Sequence, residues 1–237
     1  MSYRKKASIL LNFAIAIISF LGVILNCVFA TRDGYSHWYK RLLYFTNLSN
    51  IWIGVTCLVI AILSIVSILK KQSVIKNWIY VIKYVFTVSI TITGLIFCGL
   101  LAPFAKDYNA WTLASILVHV IVPVLSVADY FINDDGLPLK KWHIALPTIP
   151  PLLYFIFSMT LSALRVDFGR GDNYPYFFMN FYSEVGLFGF SNSGPYPELG
   201  SFYWIVVILG LIIGISYLYY KLHSSTKKKA KLSKNPS

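Results

Sequence analysis

The sequence predicts an all-α polytopic membrane protein, a six-transmembrane-helix bundle with both termini on the cytoplasmic side. Three observations lead there. The 237-residue chain is 57% hydrophobic and 13% charged, with a mean hydropathy of +0.65, outside the range of soluble domains. Six apolar runs, at 8–30, 43–69, 79–102, 111–133, 142–164 and 201–220, each reach the ~20 residues that cross a hydrocarbon core as a helix. With the N-terminus placed inside, 14 of the 21 basic residues fall on interior segments, the bias that resists translocation.

The first run follows Arg4-Lys5-Lys6 and ends in Val28-Phe29-Ala30, which imitates a signal peptide and its cleavage site. It is too long for a signal core and reads as an anchor. The second run opens on the polar cluster Tyr44-Phe45-Thr46-Asn47-Leu48-Ser49-Asn50. On a helix, Thr46, Ser49, Asn50 and Ile53 follow i, i+3, i+4, i+7 spacing, so the three polar groups share one face. The third run holds a lone Lys83. The fourth holds His119, with Pro123 four residues on; proline has no N–H, so the carbonyl of His119 loses its usual helical donor and a kink is expected. Asp129, ten residues and ~15 Å beyond His119, lies too far away to orient the imidazole and reads as a solvated or paired interfacial carboxylate. Pro147, Pro150 and Pro151 interrupt the fifth run.

Most connections are short, which makes consecutive spans antiparallel neighbours in one domain, 1–222. The exception is 165–200, with ten aromatic residues interleaved with glycine and proline. It reads as an interfacial segment that can also act as a lid over the outer face. The lysine-rich 223–237 reads as a disordered cytoplasmic tail near anionic headgroups, so the net charge of +12 belongs to the membrane surface and not to nucleic acid. Cys27, Cys57 and Cys98 all fall within spans and offer neither a disulfide framework nor metal-ligand spacing. No cofactor and no metal are expected, and the oligomeric state stays open.

Familiar catalytic motifs are absent. Gly189-Phe190-Ser191-Asn192-Ser193-Gly194 looks like a nucleophile elbow, but its glycine spacing is wrong and no parallel sheet is predicted to hold it. What remains is Thr46 and His119. Both lie in the outer half of the bilayer on spans running the same way, Thr46 ~5 Å and His119 ~12 Å from the starts of their runs, depths that permit contact. A hydroxyl beside an imidazole forms a two-member nucleophilic site, in which histidine takes the hydroxyl proton and returns it to the leaving group. The competing role for such polar groups is helix–helix adhesion.

At these residues the chain resembles the androgen-induced/androgen-dependent regulator-like membrane proteins, particularly their bacterial six-span relatives. The matching pieces are Tyr44 to Asn50, His119-Val120-Ile121-Val122-Pro123-Val124-Leu125 with Asp129-Tyr130, and Asn173-Tyr174-Pro175-Tyr176-Phe177-Phe178 in the long connection. The resemblance covers essentially all six spans. It implies Thr46 as nucleophile, His119 as general base, and fatty acid esters of hydroxy fatty acids, or lipid-like esters akin to them, as substrates drawn from membrane lipids. Asn47 and Asn50 are candidate oxyanion donors, and Arg165 and Arg170 candidate partners of a fatty carboxylate. A small-solute transporter or lipid-binding protein without catalysis is the competing class, with Lys83 its best feature; a scaffold without chemistry is a third.

Overall fold

A computed structural model describes residues 3–103, 105, 109–132, 139–191 and 198–234, with the backbone alone from 224 onward. Six helices are long and apolar enough to cross a membrane: α1 (Tyr3–Val28), α2 (Phe45–Leu69), α3 (Asn77–Leu101), α4 (Leu113–Ile132), α5 (Lys141–Ala163) and α6, whose span is Ser201–His223. This is the build of an integral multi-pass membrane protein. The observed helices agree with the six apolar runs to within a few residues at most ends, because a run of ~20 apolar residues in lipid must satisfy its backbone internally and the helix is the local way to do so.

Helices α1 to α4 pack closely on one another, whereas α5 and α6 lie against their flank. Half of the α3 span is buried inside the protein, against 22% for α5 and 17% for α6. At the centre of the four-helix core, Ile15, Ile53, Cys57, Ile90 and Val122 form an apolar layer with no exposed surface. Small residues allow the close approaches. A Cβ on Gly54 would meet Ser19 Cβ at 3.1 Å, and one on Gly94 would meet the carbonyl oxygen of His119 at 2.8 Å.

On one side of the apolar layer a polar knot ties three helices together. Lys83 forms an ion pair with Asp129 and donates to Asn12 Oδ1 at 2.8 Å. Asn12 Nδ2 reaches both Asp129 oxygens at 3.1 Å, and Ser8 Oγ donates to the carboxylate at 2.7 Å. Asp129 is therefore paired, as one of the sequence alternatives had it, and it is fully buried rather than solvated. A charge in a span is tolerated when a partner and hydrogen bonds replace its water. The Lys83–Asp129 and Gly94–His119 contacts fix the antiparallel register of α3 and α4 at two levels.

The prolines act where expected. In α4 the stretch Leu117–Ile121 is a π-helix, just before Pro123, which cannot supply the i+4 donor. In α5 the stretch Lys141–Thr148 is a 3-10 helix with Pro147 inside it, and regular α-helix begins only at Ile149. Two segments show detail beyond the sequence reading. The last helix does not stop near Tyr220 but continues in its backbone to Lys234. Lysine and alanine are good helix formers, and no proline intervenes before Pro236; residues 235–237 lie outside the described residues. The elbow-like segment instead begins a two-stranded antiparallel pairing, Phe190–Ser191 with Glu198–Leu199; its remaining residues, 192–194, lie outside the described residues.

The long connection is fastened at its start. Asp167 Oδ1 accepts from the N–H groups of Gly169 and Gly171 at 2.7 and 2.8 Å, and Lys40 donates to the Asp167 carbonyl at 2.5 Å. Burial alone would raise the Asp167 carboxyl, but the two backbone donors, Ser36 and Lys40 bring it below its ordinary value. Gly169 has φ +121° and lies so close to Tyr35 that a Cβ would sit 2.4 Å from its ring. The position accepts glycine only.

Candidate active site

Thr46 is the second residue of α2, a helix whose N-cap Tyr44 makes no side-chain cap bond. The first N–H groups of a helix have no partner within it, and here the N–H of Thr46 donates to the hydroxyl of Tyr176, 3.3 Å away. From the other direction, the Thr46 carbonyl accepts from Ser49 Oγ at 3.0 Å and from Asn50 Nδ2 at 2.8 Å. The residue is thus fixed on both sides of its Cα. Its Oγ1 lies 3.2 Å from His119 Nε2, and both side chains are buried, each residue 9% exposed.

The imidazole is held just as firmly. Its Nδ1 lies 2.9 Å from the carbonyl oxygen of Ser115, an acceptor only, so in the neutral ring Nδ1 bears the hydrogen. Nε2 then presents its lone pair to the Thr46 hydroxyl. The ring stacks on Phe97, with centroids 3.7 Å apart and planes 12° from parallel. His119 lies within the π-helical stretch, and Phe97 begins a second one, Phe97–Leu101, at the end of α3. Both irregular turns meet at this pair. A backbone carbonyl therefore does what an acidic third member does elsewhere, orienting the ring and choosing its tautomer.

Beside Thr46 opens an apolar cavity of about 90 Å³. Its walls come from Ile92 and Ile96 of α3, Leu152 and Phe155 of α5, and Ile208 and Leu209 of α6. Tyr176, Phe178 and Met179 of the long connection close it at the Thr46 end. Tyr154 helps by donating to the Leu43 carbonyl at 3.0 Å, and Tyr176 and Phe178 stack with centroids 5.2 Å apart.

Of the residues singled out in the sequence, Thr46 and His119 are brought together. Both N–H groups of Asn50 are engaged by backbone carbonyls, and one of those of Asn47 is. Asn50 Nδ2 donates to the Thr46 and Val118 carbonyls, joining α2 to α4. Asn47 Nδ2 donates to the Arg41 carbonyl at 2.7 Å, and Asn26 donates to its Oδ1 at 3.2 Å. Asn50 thus bridges two backbones, and Asn47 ties α1, through Asn26, to the turn that precedes α2. Arg165 lies over the ring of Tyr182 and Arg170 over that of Tyr35, each with its guanidinium under 5 Å from the ring centre. Arg170 also donates to the Asp33 carbonyl at 3.0 Å. Neither arginine lines the cavity.

Tyr176 is the residue that the sequence reading missed, although its motif was noted. Its hydroxyl is 3.5 Å from Thr46 Oγ1 as well as bonded to Thr46 N–H. Burial raises the phenol to about 12, offset in part by the donors on Thr46, so it keeps its proton across the physiological range. Among the described residues no cluster of histidine, cysteine or acidic side chains has the makings of a metal site.

Fold and site together define a six-span membrane protein with a buried hydroxyl–imidazole pair at the edge of an apolar slot. Comparison of the chain with protein-family models, curated protein sequences and solved structures finds no match in any of the three.

Proposed function

We propose that this protein is an intramembrane threonine/histidine hydrolase of lipid-like carboxylic esters. The observation that supports it most is the 3.2 Å contact of Thr46 Oγ1 with His119 Nε2, with Nδ1 committed to the Ser115 carbonyl. Thr46 Oγ1 attacks the ester carbonyl carbon as Nε2 takes its proton. The tetrahedral oxyanion collapses, the C–O bond to the alcohol breaks, and Nε2 returns the proton to the departing oxygen. Water then attacks the acyl-threonine, giving a proton to Nε2. On collapse the carboxylic acid leaves and Thr46 regains its hydrogen, so one water is consumed per ester.

The Tyr176 hydroxyl accepts from Thr46 N–H and lies 3.5 Å from Thr46 Oγ1, where it can donate to an oxyanion formed there. The positive end of α2 adds to this stabilisation. The family resemblance points to fatty acid esters of hydroxy fatty acids as the substrate class. It also points to a bacterial cell membrane, and the basic bias of alternate connections supports a cytoplasmic side for both termini. A fluorophosphonate probe tests the reading: labelling of the wild type that is lost in Thr46→Ala is expected, and equal labelling of the two removes Thr46 as nucleophile.

The competing reading, a transporter, draws on the buried Lys83–Asp129 pair. The apolar layer of Ile15, Ile53, Cys57, Ile90 and Val122 weighs against a continuous path from that pair to His119. Solute counterflow in proteoliposomes that survives both Thr46→Ala and His119→Ala favours transport.

A further inference from the structure

We infer that the acyl half of the ester lies in the slot between α3, α5 and α6, and that Leu152 and Leu209 form the gate through which its chain passes into the lipid. This rests on the reading of the protein as a Thr46/His119 ester hydrolase.

The side of Thr46 on which each half of the substrate must lie follows from the proton path. Nε2 gives its proton to the leaving oxygen, so the alcohol occupies the His119 side. The acyl carbon stays bonded to Thr46 Oγ1 while water is awaited, and its chain has to extend the other way. On that other side is the slot. Thr46 is in its wall and His119 is not. Its polar members, Thr46, Thr93, Tyr154 and Tyr176, belong to the loop end. Ile92, Leu152, Ile208 and Leu209 contribute carbon alone to the rest of its lining, the surface that a methylene chain matches.

The slot as it stands, about 90 Å³, is smaller than the ~150 Å³ cavity that takes a benzene ring, so a long acyl chain cannot be contained within it. An exit is at hand. The 3-10 stretch of α5, Lys141–Thr148, packs on α6, but its α-helical stretch, Ile149–Ala163, scarcely touches α6 backbone to backbone among the described residues, and α5 and α6 are the two least buried spans. Leu152 on α5 is 38% exposed although it lines the slot, and Leu209 faces the same slot from α6, half-buried. The two leucines thus stand at the seam where the slot meets the bilayer. A chain threaded between them keeps its tail in lipid at little desolvation cost, and only the ester and the first few methylenes need to be seated.

The test compares acetyl and palmitoyl esters of one chromogenic alcohol on the purified, detergent-solubilised full chain. The wild type is expected to hydrolyse both. Leu152→Trp and Leu209→Trp, which plug the seam from opposite walls, are expected to lose palmitoyl turnover by about tenfold or more, in keeping with the per-methylene discrimination of apolar pockets. The readout is the palmitoyl-to-acetyl ratio of each variant, which cancels any loss common to both esters and should fall by that factor. The acetate of a long-chain alcohol serves as the converse substrate, and its ratio to the short acetyl ester should stay at the wild-type value in both variants. Should a tryptophan variant also lose the acetyl ester, Leu→Phe at the same position is judged on the same ratio. A palmitoyl-to-acetyl ratio that is unchanged in every variant, with the wild type active, overturns the gate and leaves the hydrolase intact. Loss confined to the long-chain alcohol overturns the assignment of the acyl half. A wild type that hydrolyses none of these esters overturns the hydrolase reading itself, and the gate with it.

Discussion

The hydroxyl of Thr46 and Nε2 of His119 stand 3.2 Å apart across 73 residues of sequence, and each residue is held from behind by further hydrogen bonds. Ser115 provides the carbonyl that fixes the imidazole. Asn50 and Ser49 fix the peptide of Thr46. The pair is therefore preorganised, and its chemistry can be tested one atom at a time.

The hydroxyl of Thr46 is the atom at stake, not the bulk of the side chain. Thr46→Ser is expected to keep part of the ester hydrolysis, while Thr46→Val, which preserves shape, is expected to lose it by 10²-fold or more, on the order of what a positioned acid–base pair contributes. Rates with a soluble ester, alongside size-exclusion profiles of the three proteins, check this. Full activity in valine would leave Thr46 a packing residue.

Acidification should switch the enzyme off. An imidazolium at position 119 has no lone pair for the Thr46 proton, so turnover rises with pH as the ring becomes neutral and then levels off. Tyr176 adds no alkaline fall below about pH 11, because its phenol is pushed up to about 12. A pH–rate profile measures both limbs. A rate that is flat through the acid range, or that survives in His119→Ala, removes the imidazole from the reaction.

Tyr176→Phe removes one hydroxyl from the mouth of the slot and leaves the ring packing in place. Its loss should lower kcat by about 10²-fold with little change in KM, the pattern of an interaction made chiefly in the transition state. An equal rise in KM at constant kcat would instead make Tyr176 a substrate-seating residue.

The Lys83–Asp129 pair should behave as a structural lock. Lys83→Met or Asp129→Leu alone strands a buried charge and is expected to destabilise the protein by about 3–5 kcal/mol. The double variant, which removes both charges, should recover most of that loss. Thermal unfolding in detergent reads the cycle. Additive losses would mean that the two residues act independently, and the α3–α4 register would then rest on Gly94 alone.

Gly94→Ala places a methyl group against the His119 carbonyl, 2.8 Å away, and against Pro123. The expected cost is about 1–3 kcal/mol of stability, with a fall in turnover as the π-helical turn shifts. An active, equally stable variant would show that α4 can give way there.

The six helices were legible in the sequence because a span answers to one local demand, enough consecutive apolar residues to satisfy its backbone in lipid. The polar face of α2 was legible too, since Thr46, Ser49, Asn50 and Ile53 need only helical spacing to be buried together. Helical rise also allowed Thr46 and His119 to be near in depth. That they touch, and with which nitrogen, was decided elsewhere. The π-helical turn at Leu117–Ile121, the Ser115 carbonyl behind Nδ1, and Gly94 admitting α3 against it depend on how two helices meet. The roles of Asn47 and Asn50 turned on which neighbouring carbonyls claimed their donors. The pairing of Lys83 with Asp129 needed the antiparallel register, and the place of Tyr176 needed the path of a long connection fastened at Asp167. Periodicity and hydropathy are properties of one stretch of chain, so sequence determines them. A hydrogen bond between distant residues is a property of packing, and only the tertiary structure decides which groups share it.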